Sequence, residues 1–208
     1  VPIAHGAIGV MNGGESCLMD NAPSQRTRET ARREALNRFL AGAERRAFRM
    51  AVVACGNRED AHEIVQDAML NLVRRYASRP EDEWPLLFHR IMQNGIRDWH
   101  RRYKVRSQLT RWFGWDDENG GQEAVALLAD PRAQTPDRDC ESAQMIQQVE
   151  RAVGDLPLRQ KQAFLLRAWE GLDVRDTAQA MGCTEGSVKT HFSRAVRALR
   201  AQLGEVLE

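Results

Sequence analysis

Between residues 26 and 106, apolar side chains recur at steps of three and four, with few strand-like alternations and no Gly-rich hairpin signal. That periodicity restricts the segment to helices. Leu36, Phe39, Leu40, Ala43, Ala47, Met50, Ala51 and Ala54 form one buried stripe on a first helix. Gly56-Asn57 ends it, and a second helix is predicted from about Glu59, with Ala61, Ile64, Val65, Ala68, Leu72, Val73 and Tyr76 inward. Pro80 closes this unit, and Trp84 to about Lys104 predicts a third helix with Trp84, Phe88, Ile91, Met92 and Trp99 inward. Three such segments make a compact bundle.

Residues 107–140 break the pattern. They hold seven acids against three arginines, net −4, and Gly114, Gly120, Gly121, Pro131 and Pro136 interrupt any long helix. A flexible acidic linker is expected, with a short helix at 124–128. The aromatic run Trp112-Phe113-Gly114-Trp115 is read as docking on a neighbouring domain, with a partner-binding patch as the alternative. The helical period returns from Ser142 with Ile146, Val149 and Val153 inward, and Pro157 fits the first position of the next helix. Gly171 supplies a left-handed stop, Asp173 caps a short helix through Met181, Gly182 turns the chain, and Thr184 caps a last helix carrying Val188, Phe192, Ala195, Val196 and Leu199 inward. Short helix, glycine turn, longer helix is the helix-turn-helix pattern. The fold class is therefore all-α: two small helical domains, 26–106 and 141–208, joined by the acidic flexible linker. Residues 1–25 read as a disordered tail. Val1 fits a GTG start, and Gly13-Gly14-Glu15 can be encoded as a purine-rich ribosome-binding site shortly before Met19, so translation is expected to begin at Met19.

Composition excludes several classes. No apolar run approaches the roughly 20 residues that span a bilayer, so the chain is not expected to be membrane-embedded. Cys17, Cys55, Cys140 and Cys183 are scattered, without zinc-ligand spacing, so no metal or disulfide framework is expected and the default compartment is the cytoplasm. No phosphate-cradling glycine loop or nucleophile motif is present, which leaves no catalytic residue, cofactor or small-molecule substrate to assign.

Thirty basic and twenty-nine acidic residues nearly cancel, so local clusters carry the information. Arg97 to Arg106 has net charge +4, as does Ser187 to Leu203. Arg90, Asn94, Arg97, Arg101 and Lys104 follow i, i+4, i+7, i+11 and i+14, which places one cationic stripe on one helix face, suited to a nucleic-acid backbone or simply to solvent. On the final helix Thr184, Glu185, Ser187, Lys189, Thr190, His191, Arg194 and Arg197 lie opposite or beside the apolar stripe, where a recognition helix meets bases and phosphates. Asp60, Glu63 and Asp67, with Gln66 beside them, form an acidic face on the second helix. The helix macrodipole accounts for Asp60 and Glu63, but Asp67 lies too far along for that.

These residues resemble the extracytoplasmic-function group of the sigma-70 family of bacterial RNA polymerase sigma factors. Asp60-Ala61-His62-Glu63-Ile64-Val65-Gln66-Asp67-Ala68 is similar to the family's D-A-E-D-L-V-Q-E motif, with His62 in place of an acid. Phe88 to Arg102 is similar to L-F-R-I-A-R-N-L-A-I-D-H-x-R-R, with Gly95 where an apolar residue is usual. Asp155-Leu156-Pro157, Leu166 to Leu172, Gly186 to Thr190 and Ser193-Arg194-Ala195 resemble region four, with Thr190-His191 in place of S-R. The resemblance implies that the first motif binds the clamp helices of core polymerase, the second opens and reads the −10 element of promoter DNA, and region four reads the −35 element. It also implies an inhibitory anti-sigma partner. Elements about 25 base pairs apart lie roughly 85 Å apart at ~3.4 Å per pair. The 34 residues of the linker reach at most roughly 110–120 Å, which is long enough. The rival reading is a self-sufficient regulator of the GerE/LuxR kind, whose helix-turn-helix resembles residues 172–203 and which would not need the acidic face.

Overall fold

The computed structural model describes residues 25–113 and 138–204. The expectations for the tail, the short helix at 124–128 and the docking of the aromatic run Trp112-Phe113-Gly114-Trp115 lie outside what the structure describes. The first block comprises α1 (Gln25–Cys55), α2 (Arg58–Tyr76), a 3-10 turn (Glu81–Glu83) and α3 (Trp84–Phe113). The second comprises α4 (Arg138–Gly154), α5 (Leu158–Phe164) with a π-turn (Leu165–Trp169), α6 (Val174–Met181) and α7 (Glu185–Leu203). Among the described residues there is no strand, and none of their helices is long and apolar enough to cross a membrane.

Local chemistry sets the ends of the elements. Gly56 takes φ 72° to leave α1, and the Asn57 side chain accepts hydrogen bonds from the backbone N–H groups of Glu59 and Asp60 at 2.8 and 3.1 Å, starting α2. In the second block Asp173 accepts from the Asp176 N–H at 2.7 Å and Thr184 from the Ser187 N–H at 3.2 Å. Between these caps Gly182, at φ 62°, makes the left-handed turn that a side chain with a Cβ would strain.

Four sequence expectations are corrected. Helix α3 runs to Phe113, past Lys104, and α4 starts at Arg138, so both ends of the expected linker are helical. Pro157 is the N-cap of α5 and lies one residue before its first position. Val73 and Ile146 are exposed at 42% and 49%, because no neighbouring helix covers the faces that carry them.

The π-turn inserts one extra residue. The Glu170 N–H donates to Leu165 O and the Leu172 N–H to Leu166 O, both at 3.0 Å, before Gly171 ends the segment at φ 72°. The added residue rotates Trp169 and Glu170 toward the first block. Arg49 of α1 lies over the Trp169 ring at 5.4 Å, and Glu170 meets His89 of α3 at 3.5 Å.

The two blocks share one continuous apolar core, from Leu36, Met50, Trp84 and Phe88 in the first to Leu165, Met181, Val188 and Leu199 in the second. Polar side chains are buried where the blocks meet. Glu150 accepts from Arg49 at 2.7 Å, Lys161 donates to Ala54 O at 3.2 Å, and Gln162 donates to Gln93 O at 3.4 Å.

Candidate functional site

Parts of the acidic face and of the cationic stripe prove to line one groove, whereas Asp60, Gln66, Arg97 and Lys104 lie outside it. About 620 Å³ lies between α2 and α3, lined by Glu63 and Asp67 on one side and by Arg90, Asn94 and Arg101 on the other. Close approach of the helices makes it shallow: a Cβ on Gly95 would stand 3.2 Å from Ile64 Cγ2. Glu63, Gln66 and Asp67 are exposed and Asp60 is half-buried. Arg90, Asn94, Arg101 and Lys104 are exposed as the spacing predicts, and Arg101 reaches Asp98 at 3.4 Å. Arg97 differs from its neighbours. It is half-buried, donates to Asn94 Oδ1, and its Nη1 lies 3.5 Å from Met181 O at the end of α6.

The start of α7 projects polar groups as a recognition helix must. Thr184, Glu185, Lys189, Thr190, Arg194 and Arg197 are exposed, while Ser187 and His191 are half-buried. Some of these groups already have internal work. Thr184 and Ser187 bond to each other at 2.9 Å as part of the cap, and the Thr190 hydroxyl donates to Gly186 O at 2.9 Å. Lys189, Arg194 and Arg197 offer charge to phosphate oxygens or base edges. Behind this surface Phe192 stacks on Phe164 at 6.3 Å, and Arg167 covers the Phe192 ring and donates to Leu172 O at 2.6 Å, fixing α7 on the π-turn.

The chain matches the family described as Sigma-70, region 4 over residues 146–199, the helix-turn-helix segment just described. It is 31% identical to the ECF RNA polymerase sigma factor SigM of Mycobacterium tuberculosis over 179 residues, covering 84% of this chain and 78% of that protein. It belongs to the extracytoplasmic-function sigma factors. The RNA polymerase sigma-E factor of Streptomyces coelicolor is 28% identical over 153 residues, covering 66% of this chain and 81% of the relative. Among solved structures, the sigma factor RpoE of Bartonella quintana, in complex with the anti-sigma factor NepR, has the same fold. Its TM-score is 0.54 at 19% identity, over 85% of this chain and 96% of that one.

In this sigma factor the seam between the blocks holds groups that the sequence did not reveal: Arg49, His89, Gln93, Glu150, Lys161 and Glu170. Periodicity gave no signal for them, since a lone polar residue reads as solvent-facing wherever it falls. His89 and Glu170 have the geometry of an ion pair, yet burial, helped by Arg46, pushes His89 down to about 4, and burial pushes the Glu170 carboxyl up. At neutral pH the imidazole is therefore neutral, and the contact is a long polar one with little ionic character.

That shift sets a pH dependence. An unfolded imidazole binds its proton near 6.5 and the native one near 4, so between these values the unfolded state holds more protons and stability falls as pH drops. His89 alone is expected to cost about 2 kcal/mol of stability between pH 7 and pH 5. His100 and His191, also shifted down, act with the same sign, whereas Glu170 opposes it. Denaturant titration of the wild type and of His89→Gln at both pH values isolates the term: the wild type should lose markedly more stability at pH 5 than the variant.

Proposed function

We propose that this sigma factor docks on core RNA polymerase through Asp60, Glu63, Gln66 and Asp67 of α2. Arg90, Asn94, Arg97, Arg101 and Lys104 of α3 then engage the −10 element, and Thr184, Glu185, Ser187, Lys189, Thr190, His191, Arg194 and Arg197 at the start of α7 engage the −35 element. The chain directs transcription initiation at specific promoters, as its family does, and contributes binding rather than catalysis. Its place is the cytoplasm, beside the polymerase. The domains follow the same division, with residues 26–106 serving polymerase and −10 DNA, 141–208 serving −35 DNA, and 107–140 spanning between them. The observation that carries this reading is a capped helix-turn-helix with an exposed cationic face, within a chain that also bears an exposed acidic face on α2. An independent DNA-binding regulator has no need of that acidic face. An inhibitory partner is inferred as well: RpoE of Bartonella quintana was solved with NepR, and CnrH, 18% identical with TM-score 0.52, with the cytosolic domain of CnrY.

One selection experiment tests both DNA-reading assignments. Holoenzyme reconstituted with Thr190→Ser/His191→Arg should select different −35 hexamers from a random promoter library, with the −10 preference unchanged, because Arg and His present different donors to base edges. Holoenzyme carrying Arg97→Ala, Arg101→Ala and Lys104→Ala should bind promoters with a salt dependence flatter by at most about one log-log unit for each lost phosphate contact. Identical −35 preferences would remove Thr190 and His191 from base reading, and an unchanged salt slope would leave the α3 stripe as solvated surface.

A further inference from the structure

Where α1 ends, a cleft of about 630 Å³ lies between the blocks, and none of its residues belongs to the faces assigned to polymerase or DNA. It is lined by the end of α1, by Trp99, His100 and Tyr103 of α3, and by Arg151, Asp155 and Lys161 of the second block. Cavities of about 300–1,000 Å³ are the size that holds a small molecule.

Lys161 is 5% exposed, yet its ammonium makes a single hydrogen bond among the described residues, donated to Ala54 O at 3.2 Å. His100 Nε2 stands 3.3 Å from the same oxygen. The negative end of the α1 dipole thus receives both groups, but a carbonyl is no counter-ion. Burial lowers the Lys161 pKa, and Cys55 and Asp155 offset this only in part. Neither of them pairs with it: burial pushes the Cys55 thiol up to about 12, so that it stays neutral, and the Asp155 carboxylate acts from beyond ion-pair distance. A buried charge so placed is costly until an anion reaches it.

The α3 wall supplies a different chemistry. Trp99 and Tyr103 stack with ring centroids 5.1 Å apart and planes 14° apart, and Tyr103 is 45% exposed. A flat ring can extend such a stack or meet its edge. Burial, helped by Lys161, lowers the His100 pKa and keeps its imidazole neutral, so Arg151 and Lys161 against Asp155 leave the cleft one positive charge in excess. That balance fits a monoanion, since Asp155 would repel a phosphate dianion.

We propose that the cleft binds a small planar aromatic monocarboxylate, with the carboxylate on Lys161 and the ring against Tyr103 and Trp99. Arg151 adds charge at the exposed side of the cleft. The site stands independently of which faces serve polymerase and DNA.

Calorimetry on the full chain tests this with three acids, benzoate, indole-3-carboxylate and 2-naphthoate, each against its uncharged amide. At least one acid should bind one to one, about tenfold or more tightly than its amide, because hydrogen bonds to charged groups outweigh neutral ones. Lys161→Met keeps the apolar stem and removes the charge, so it should bring the acid down to the affinity of the amide. Tyr103→Ala, at an exposed position, should weaken acid and amide by a similar factor. Circular dichroism reports whether each variant keeps its helices. If Lys161→Met loses them, Arg151→Glu on the surface of α4 carries the charge test, and should weaken the acid while sparing the amide. Three outcomes overturn the proposal: no acid binds the wild type, acid and amide bind it equally, or binding is unmoved by the charge variant and by Tyr103→Ala, which would put the probe elsewhere on the chain.

Discussion

Glu63→Lys/Asp67→Lys is expected to abolish assembly with core polymerase while the chain stays folded. Both carboxylates are exposed on α2, and a cationic, polar surface is the partner they fit. Truncating one member of a buried interfacial charge pair typically costs 2–5 kcal/mol, and reversal adds repulsion to that loss. Two reversals together should therefore weaken core binding by at least about a thousandfold. Substitutions at exposed positions usually shift stability by about 0.5 kcal/mol, so the melting transition should barely move. Asp60 is the poorer choice, because it is half-buried and sits in the first turn of α2, where reversal would also oppose the helix dipole. The same double variant carries a second, opposite signature. Its lysines would face Arg90 and Arg101 across the groove, making one continuous cationic channel, and non-specific DNA binding by the free protein should rise. Fluorescence anisotropy with labelled core and with random-sequence DNA measures both. Unimpaired core affinity would remove the α2 face from polymerase docking and favour the independent regulator.

Trp84→Ala is expected to cost the first block about 3–5 kcal/mol, comparable to the whole stability of many small domains. Trp84 is 1% exposed, packs 6.2 Å from the Phe39 ring, and donates its indole N–H to Tyr76 O at 3.2 Å. That bond ties the start of α3 to the end of α2. Alanine would leave a cavity and lose the indole bond together, the Tyr76 carbonyl keeping only the Arg79 N–H at 3.0 Å, whereas Trp84→Phe keeps most of the volume and loses the bond alone. Urea titration should place Trp84→Phe well above Trp84→Ala and below the wild type. Equal midpoints for the two variants would mean that the indole bond and the lost volume do not act as described.

What could be read from the sequence was whatever is decided within a few residues. Asp173 and Thr184 cap helices, and Gly56, Gly171 and Gly182 take left-handed conformations, because each outcome depends on one side chain and its nearest backbone; Asn57, read only as the end of α1, also caps α2. The apolar stripes of α1, α3 and α7 were legible for a similar reason, with helical spacing converting order along the chain into a face. Val73 and Ile146 escaped because spacing says which residues share a face and nothing of how much of that face a neighbouring helix covers. The π-turn escaped because Leu165–Trp169 is ordinary helical composition, and the wider turn arises from packing on the other block. Least legible was the seam itself. Arg49 and Glu150 lie 101 residues apart, and no local pattern marks either as buried. Arg97 combines both cases, since its place on the stripe follows from spacing while its contact with Met181 O follows from tertiary packing.

Gly95 has the widest reach of the small residues. Helices α2 and α3 behave like two rails whose gauge is set at the point where Gly95 meets Ile64, 3.2 Å from where a Cβ would stand. Alanine there asks Ile64 to yield by a few tenths of an ångström, and a longer side chain fits only if Ile64 takes up less room. Otherwise the acids on one rail and the arginines on the other would lose their common spacing, although none of them had changed. A mutational scan of this protein should thus show dependence on side-chain size at a position in the middle of a helix, far from every capped end, relieved when Ile64 is shortened at the same time.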